Sequence, residues 1–435
     1  MQLTVHPAAS PLSGRVVPPG DKSVSHRAVI FGGLAAGTTR IEGFLEAEDT
    51  LATLGAISNL GARVSREASR VKIESGRLFA PSAPLDMGNS GTGMRLLTGA
   101  LCGHPDLFDA RIELVGDASL SGRPMQRIIE PLSAMNARID SRNGHAPLIV
   151  APRQLKAQDR ELSVASAQVK SAILLAGLNA PGETRVVEPG VSRDHTERLL
   201  PAFGVAVESG EGTARLRGPA RLKAATIEVP GDLSSAAFMI AAAVMVPNSR
   251  VRIGPVGVNP TRDGILRILE RMAPGSVKQR PVEHASAGAE PVAMLEVSSA
   301  VDLVGTRIPA AWVPLAIDEF PLVMAMAAVS RGDTVITGAG ELRVKESDRI
   351  AVMSRQLRRL GVHVDEQPDG ATVRGGRVSG GSVDSEGDHR IAMSLAVLAL
   401  VADGPMEING AEWIRTSYPA FAQHLESLGA RVQWR

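Results

Sequence analysis

The sequence has one cysteine, Cys102, in 435 residues. A disulfide framework is excluded and a reducing compartment fits. Cys102 ends an apolar run, which points to packing rather than a nucleophile. Charge of one sign is also missing, since 47 Lys and Arg face 46 Asp and Glu for a formal net charge of +1. There is no global basic field for nucleic acid, so any anion site must be a local concentration of cations. The nine histidines show no metal-ligand spacing, and no structural metal is expected. The N-terminus lacks the charged-then-apolar pattern of a secretion signal. The longest apolar runs, near 236–246 and 391–402, fall short of the ~20 residues that span a bilayer and read as buried helices. These absences predict a cytoplasmic protein with neither membrane nor nucleic-acid partners.

A phosphate loop is lacking too. Asp21 separates Gly20 from Lys22, and Pro18 and Pro19 remove N–H groups that such a loop needs. What is present is a rigid Pro18-Pro19-Gly20 turn running into Asp21-Lys22-Ser23, then an apolar stretch. It predicts a helix whose first turns carry Lys22, Ser23 and Arg27. A helix N-terminus offers free N–H groups and a positive dipole end. Added cations make it an anion site, or else a basic cap on a surface helix.

The chain is long enough for two or three domains. Small-residue apolar helices are expected to begin near Ser23, Thr92, Gln168, Ser234, Glu319 and His389, at intervals of about 66 to 85 residues. A second signature, Leu60-Gly61-Ala62-Arg63-Val64, returns near Asn136, Gly204, Gly361 and Gly429, and in degraded form at Gly275. Each copy follows an amphipathic helix and opens a strand. Six copies of one unit are predicted. The Pro/Gly turns at 18–21 and 230–234 are expected to be a double crossing between two domains, 21–232 and 1–20 plus 233–435. In that arrangement the inner helices point their N-termini at a cleft between the two.

Arg343-Val344-Lys345-Glu346-Ser347-Asp348-Arg349 is expected to open an outer helix, with Lys345 and Arg349 four residues apart on one face. A solvated face with a weak ion pair of ~0.3–0.5 kcal/mol is the usual meaning of such a run. Arg123-Pro124, Ser192-Arg193 and Asp388-His389-Arg390 also place cations at helix starts, which suits phosphate or carboxylate recognition. Gly88-Asn89-Ser90-Gly91-Thr92-Gly93 would let a ligand approach the backbone, or is a plain tight turn.

The Lys22–Arg27 stretch, the Gly88–Thr92 turn, Arg343–Arg349 and Asp388-His389-Arg390 together resemble the 5-enolpyruvylshikimate-3-phosphate synthase family, in order and over essentially the whole chain. The resemblance implies an inside-out α/β barrel of two domains, each with three βαβαββ repeats. It implies transfer of the enolpyruvyl group of phosphoenolpyruvate to the 5-hydroxyl of shikimate 3-phosphate, by a monomer without metal or organic cofactor. Carried over by motif, Lys22, Ser23, Arg27, Ser166, Ala167, Gln168, Ser192, Arg193, Asp318 and Lys345 would meet shikimate 3-phosphate. Lys22, Asn89, Gly91, Arg123, Gln168, Arg349 and Arg390 would meet phosphoenolpyruvate. Asp318 would be the base, with Lys22 and Glu346 as proton shuttles.

Some positions depart from the family pattern. Ala167 stands where many members have Ser, Glu341 where some have Asn, and Thr416 where many have Lys. Whether Arg415 replaces that lysine is open. Gly91 leaves room beside the phosphoenolpyruvate site, so glyphosate is expected to bind. The sibling UDP-N-acetylglucosamine enolpyruvyl transferase has Lys-Asn in place of Lys22-Ser23 and usually a Cys before the Arg-Pro. Residues 116–122 here have none.

Overall fold

A computed structural model describes residues 1–282 and 290–435. Six apolar stretches form helices buried along nearly their whole length: Lys22–Leu34, Gly91–Leu101, Ala167–Gly177, Leu233–Met245, Phe320–Ala327 and His389–Ala399. Their starts fall within one residue of the expected positions. A helix that is apolar all round has no solvent face and belongs in a core. Small residues let these helices touch. A Cβ on Gly99 would lie 2.3 Å from the carbonyl oxygen of Ala172 in the neighbouring helix. Cys102 is buried here as packing, its thiol pushed up to about 12 by desolvation. Among the described residues no helix is long and apolar enough to cross a membrane.

The outer helices are amphipathic. In Arg349–Arg359, Ile350, Met353 and Leu357 are buried, as is Leu360 at its end. After each outer helix the chain reverses through a residue with positive φ: Gly61, Asn136, Gly204, Gly275, Gly361 and Gly429. Glycine enters that left-handed region freely and Asn tolerates it, which is the physical content of the recurring signature.

One sheet pattern recurs, a parallel pair followed by two antiparallel pairings. Thr226–Glu228 lies parallel to Gly37–Glu42, which pairs antiparallel with Arg70–Ser75, and that strand with Arg63–Glu67. The sheets around Ile112–Val115 and Gly182–Val187 repeat it. So does the sheet in which Ser13–Val16 lies parallel to Arg250–Gly257. In the sheet of Asp333–Ile336, Gly370–Arg374 and His363–Gln367 the parallel partner is reduced to bridges from Val304 to Arg331 and Arg307 to Val335. The last sheet takes its third strand from Gln2–Val5, with Leu3 opposite both Ile408 and Trp434. Alternate residues of His145–Ala151 are buried, as a strand with one face on a core requires.

The chain divides into two compact units. One is Gly20–Val229, joined by Glu290; the other is Met1–Pro19 with Pro230 onward. Pro230, Gly231 and Asp232, expected to close the first unit, begin the second. Asp232 caps the Leu233–Met245 helix by accepting from the Ser234 N–H, and its own N–H donates to Pro19. Gly20 goes the other way. A Cβ there would lie 1.9 Å from the Gly43 carbonyl oxygen, so only glycine fits against that turn. Each unit has its own hydrophobic core, with Phe31 edge-on to Phe203 in one and Phe238 edge-on to Phe421 in the other.

Candidate active site

In the Gly20–Val229 unit, Asp21 caps the Lys22–Leu34 helix by accepting from the Val24 N–H at 2.9 Å. This cap fixes where the first turn points. The Lys22 ammonium is partly exposed and pairs with the carboxylate of Asp49. Arg27 is buried. Its Nε donates to Thr196 Oγ1 at 2.7 Å, Nη2 to Ser171 Oγ at 2.9 Å and Nη1 to the Ser23 carbonyl at 3.0 Å. The remaining hydrogens on Nη1 and Nη2 are the ones available to a ligand. Desolvation brings the Arg27 pKa down to about 10, opposed chiefly by Glu197, and the guanidinium stays charged. His26 bridges the second turn of the helix Glu48–Asn59 and the cap of the next inner helix, Nδ1 to Thr53 Oγ1 at 2.9 Å and Nε2 to Ser90 Oγ at 3.4 Å. Burial, with Lys22 and Arg27 nearby, pushes its pKa well below 6.5, so the ring is neutral.

Ser90 caps the Gly91–Leu101 helix through the Gly93 N–H. A Cβ on Gly91 would lie 3.0 Å from Arg95 Nη1 and 3.3 Å from Arg123 Nη1. Two guanidinium groups therefore flank a helix N-terminus, an anion site by charge and by dipole. Arg123 donates to Asn89 Oδ1, and Asn89 Nδ2 donates to Asp117 Oδ2 at 2.7 Å. Gln168 accepts from Arg95 Nη1 at 2.6 Å and donates to Thr92 Oγ1 at 2.8 Å. Arg95 thus joins the Gly91 turn to Gln168, and sequence reasoning missed it. Its signal was a lone charge in an otherwise apolar helix. Ala167 follows the N-cap Ser166 and has only its backbone N–H to offer. The Ser166 N–H donates to Glu188 Oε1 at 2.7 Å, and Ser192 Oγ to Glu188 Oε2 at 2.7 Å. Arg193, next to Ser192, is close enough to Arg27 to weigh on its charge.

In the other unit, Asp318 lies in the turn Ile317–Glu319 at the start of a buried helix. Its Oδ1 is 3.8 Å from Lys345 Nζ and 3.2 Å from Arg349 Nη1. Arg349 is buried and donates through Nη2 to Glu346 at 2.7 Å and through Nε to Asp388 at 2.8 Å. Burial alone would lower its pKa, but Asp388, Glu346 and Asp318 outweigh it and hold the pKa above the usual arginine value. Arg390 donates to the Asp318 carbonyl at 3.1 Å. Asp388 caps the His389–Ala399 helix and accepts from Ser347 Oγ.

The helical face expected for Lys345 and Arg349 is not what forms. Gly340–Val344 is a 3-10 turn, Lys345 is extended, and the helix begins only at Arg349 with Asp348 as its cap. Asp318 brings the two cations together instead. Nor is Arg349 on a solvated face; it is the buried centre of a charge cluster. Glu341 is exposed. Thr416 bonds the Trp413 carbonyl, while Arg415 reaches the sulfur of Met1.

The model of the family described as EPSP synthase (3-phosphoshikimate 1-carboxyvinyltransferase) matches residues 7–425. The chain belongs to the EPSP synthase family. It is 51% identical over 428 residues to the 3-phosphoshikimate 1-carboxyvinyltransferase of Acidithiobacillus ferrooxidans strain ATCC 53993, covering 98% of this chain and 97% of that one. It is 50% identical over 424 residues to the enzyme of the same name from Xanthomonas campestris pv. campestris strain B100, covering 96% and 95%. A solved EPSP synthase from Acinetobacter baumannii superposes with a TM-score of 0.87 at 42% identity, covering both chains fully. This EPSP synthase-family chain carries two clusters of cations at helix starts, one in each unit. Asp49, Asp388 and Glu188, which hold Lys22, Arg349 and the two serines, were not legible as site residues because their partners come from other elements.

Proposed function

We infer that this chain transfers the enolpyruvyl group of phosphoenolpyruvate to the 5-hydroxyl of shikimate 3-phosphate and releases phosphate, a step of aromatic amino-acid biosynthesis. Family membership over nearly the whole chain supports the reaction and disfavours the UDP-N-acetylglucosamine alternative. The observation that carries the residue assignment is the Asp318 carboxylate, 3.8 Å from Lys345 Nζ and 3.2 Å from Arg349 Nη1. A base for a hydroxyl is wanted among the cations that hold two anionic substrates.

Protonation of the methylene carbon of phosphoenolpyruvate makes C2 open to attack. The 5-hydroxyl adds there as Asp318 takes its proton, giving a tetrahedral intermediate. Loss of phosphate and of a methyl proton restores the double bond. Lys22 and Glu346 carry protons to and from that carbon. Lys22, Ser23, Arg27, Ser166, the Ala167 N–H, Gln168, Ser192, Arg193 and Lys345 bind shikimate 3-phosphate. Asn89, Gly91, Arg123, Arg349 and Arg390, with Lys22 and Gln168, bind phosphoenolpyruvate. A substrate anion at Arg349 competes with Asp318 for Nη1 and frees that carboxylate to act. Both sets of residues serve this one reaction.

The recurring sheet pattern supports an inside-out α/β arrangement of two domains with three βαβαββ repeats each. A cytoplasmic monomer without metal or organic cofactor completes the reading. The test is phosphate release from the two substrates. Release should need both, and Asp318→Ala should slow it about 10²–10⁴-fold. No release by the folded wild type would overturn the assignment.

A further inference from the structure

Lys170 is the one charged side chain in the helix Ala167–Gly177, and it is buried with two buried carboxylates. Its Nζ lies 2.7 Å from Glu188 Oε2 and 2.8 Å from Glu197 Oε1. Desolvation pulls the ammonium down, yet Glu197 and Glu188 outweigh it and leave its pKa raised. Arg27 completes the charge balance. It binds Ser171 and Thr196, the neighbours of Lys170 and Glu197, and those two hydroxyls lie 2.7 Å apart. Lys170 thus pairs with both carboxylates, and Arg27 feels the charge of Glu197 from across those two hydroxyls. A cluster of this kind gives little net stability, since desolvation offsets most of the attraction. Its geometry suggests another use. Glu188 Oε1 accepts from the Ser166 N–H, and Oε2, besides pairing with Lys170, accepts from Ser192 Oγ. The Glu188 backbone is itself tied to the Gly212 carbonyl at 2.8 Å.

We propose that Glu188 is a positioning residue for shikimate 3-phosphate. It holds the Ser166 backbone, so that the Ser166 hydroxyl faces the ligand, and through Ser192 it holds the turn that carries Arg193, while Lys170 cancels the carboxylate charge that would otherwise repel the substrate's phosphate. This rests on the reading that Ser166, Ser192 and Arg193 meet that phosphate. Without Lys170, a carboxylate this close behind an anion site would oppose binding. With it, the two serines are held in register at no electrostatic penalty to the ligand.

The test is steady-state kinetics on the intact enzyme with Glu188→Gln, Lys170→Met/Glu188→Gln and Ser192→Ala. The double variant removes one charge of each sign and leaves Arg27 balanced by Glu197, which guards against misfolding. In both Glu188 variants the KM for shikimate 3-phosphate should rise about tenfold, while kcat and the KM for phosphoenolpyruvate move less than about twofold. A merely structural cluster would instead lower kcat or active fraction and leave the two KM values in proportion. That result, or an unchanged KM for shikimate 3-phosphate, overturns the proposal. If Ser192→Ala raises that KM and the Glu188 variants do not, the positioning role fails and the substrate site stands. If Ser192→Ala has no effect either, the substrate-site reading fails, and the proposal with it.

Discussion

Arg349 donates through Nε to Asp388 at 2.8 Å, and neither side chain reaches solvent appreciably. Asp388 also caps a helix through the Arg390 N–H at 2.9 Å, so one carboxylate fixes both arginines of the cluster. Asp388→Ala leaves a buried guanidinium short of a partner and removes the cap. The expected loss is about 2–4 kcal/mol of stability. It would be read as a lower urea midpoint and a lower melting temperature, together with a higher KM for phosphoenolpyruvate.

Lys22 and Asp49 form the corresponding pair in the other unit. Lys22→Met should cut turnover about 10²–10³-fold with the fold intact by circular dichroism. Asp49→Asn should give a smaller loss, because the ammonium remains but is no longer held. Equal losses in the two variants would count against Lys22 as a proton carrier.

The space above Gly91 makes a third prediction. A methyl there would sit 3.0 Å from Arg95 Nη1 and 3.3 Å from Arg123 Nη1, closer than carbon and nitrogen tolerate without movement. Glyphosate should compete with phosphoenolpyruvate in the wild type. Gly91→Ala should weaken both, each by about tenfold. Failure of glyphosate to compete at millimolar levels would refute the assignment of this pocket.

Stability should fall as pH drops below about 6.5. The folded protein keeps His26 neutral, its pKa well below 6.5, while the unfolded chain takes up the proton at 6.5. Between those two pKa values the unfolded state binds more protons, so unfolding becomes easier with acid by up to about 1.4 kcal/mol per pH unit for this one group. His104 and His424, also lowered by burial, act in the same direction. His26→Gln should reduce the slope of urea midpoint against pH in that window. An unchanged slope would show that the other histidines carry it.

Local signals were legible in the sequence and distant ones were not. The inner helices could be placed because apolar runs and polar turns are properties of neighbouring residues. The outer-helix exits could be placed because a left-handed residue selects Gly or Asn, as at Gly361 and Asn136. Lys345 was misread because helical spacing was extended back through a 3-10 turn that places it in extended backbone. Arg95, Lys170 and Glu188 were missed because their partners come from other elements. Gln168 is 73 residues from Arg95, and no periodicity reports such a contact. A lone charge inside an apolar inner helix was the available clue in two of the three.

The strand Gln2–Val5 lies between Met406–Asn409 and Val432–Trp434, and Gln2 Nε2 bonds Asn409 Oδ1 across 407 residues. During synthesis that strand is made long before either of its partners. Gly20–Val229 can complete all three of its sheets while Gln2–Val5 still waits unpaired, and the unit it belongs to cannot close until Met406–Asn409 and Val432–Trp434 have been made. A β-strand kept open that long is an unpaired edge in waiting, and loss of Val432–Trp434 would leave one side of it exposed for good.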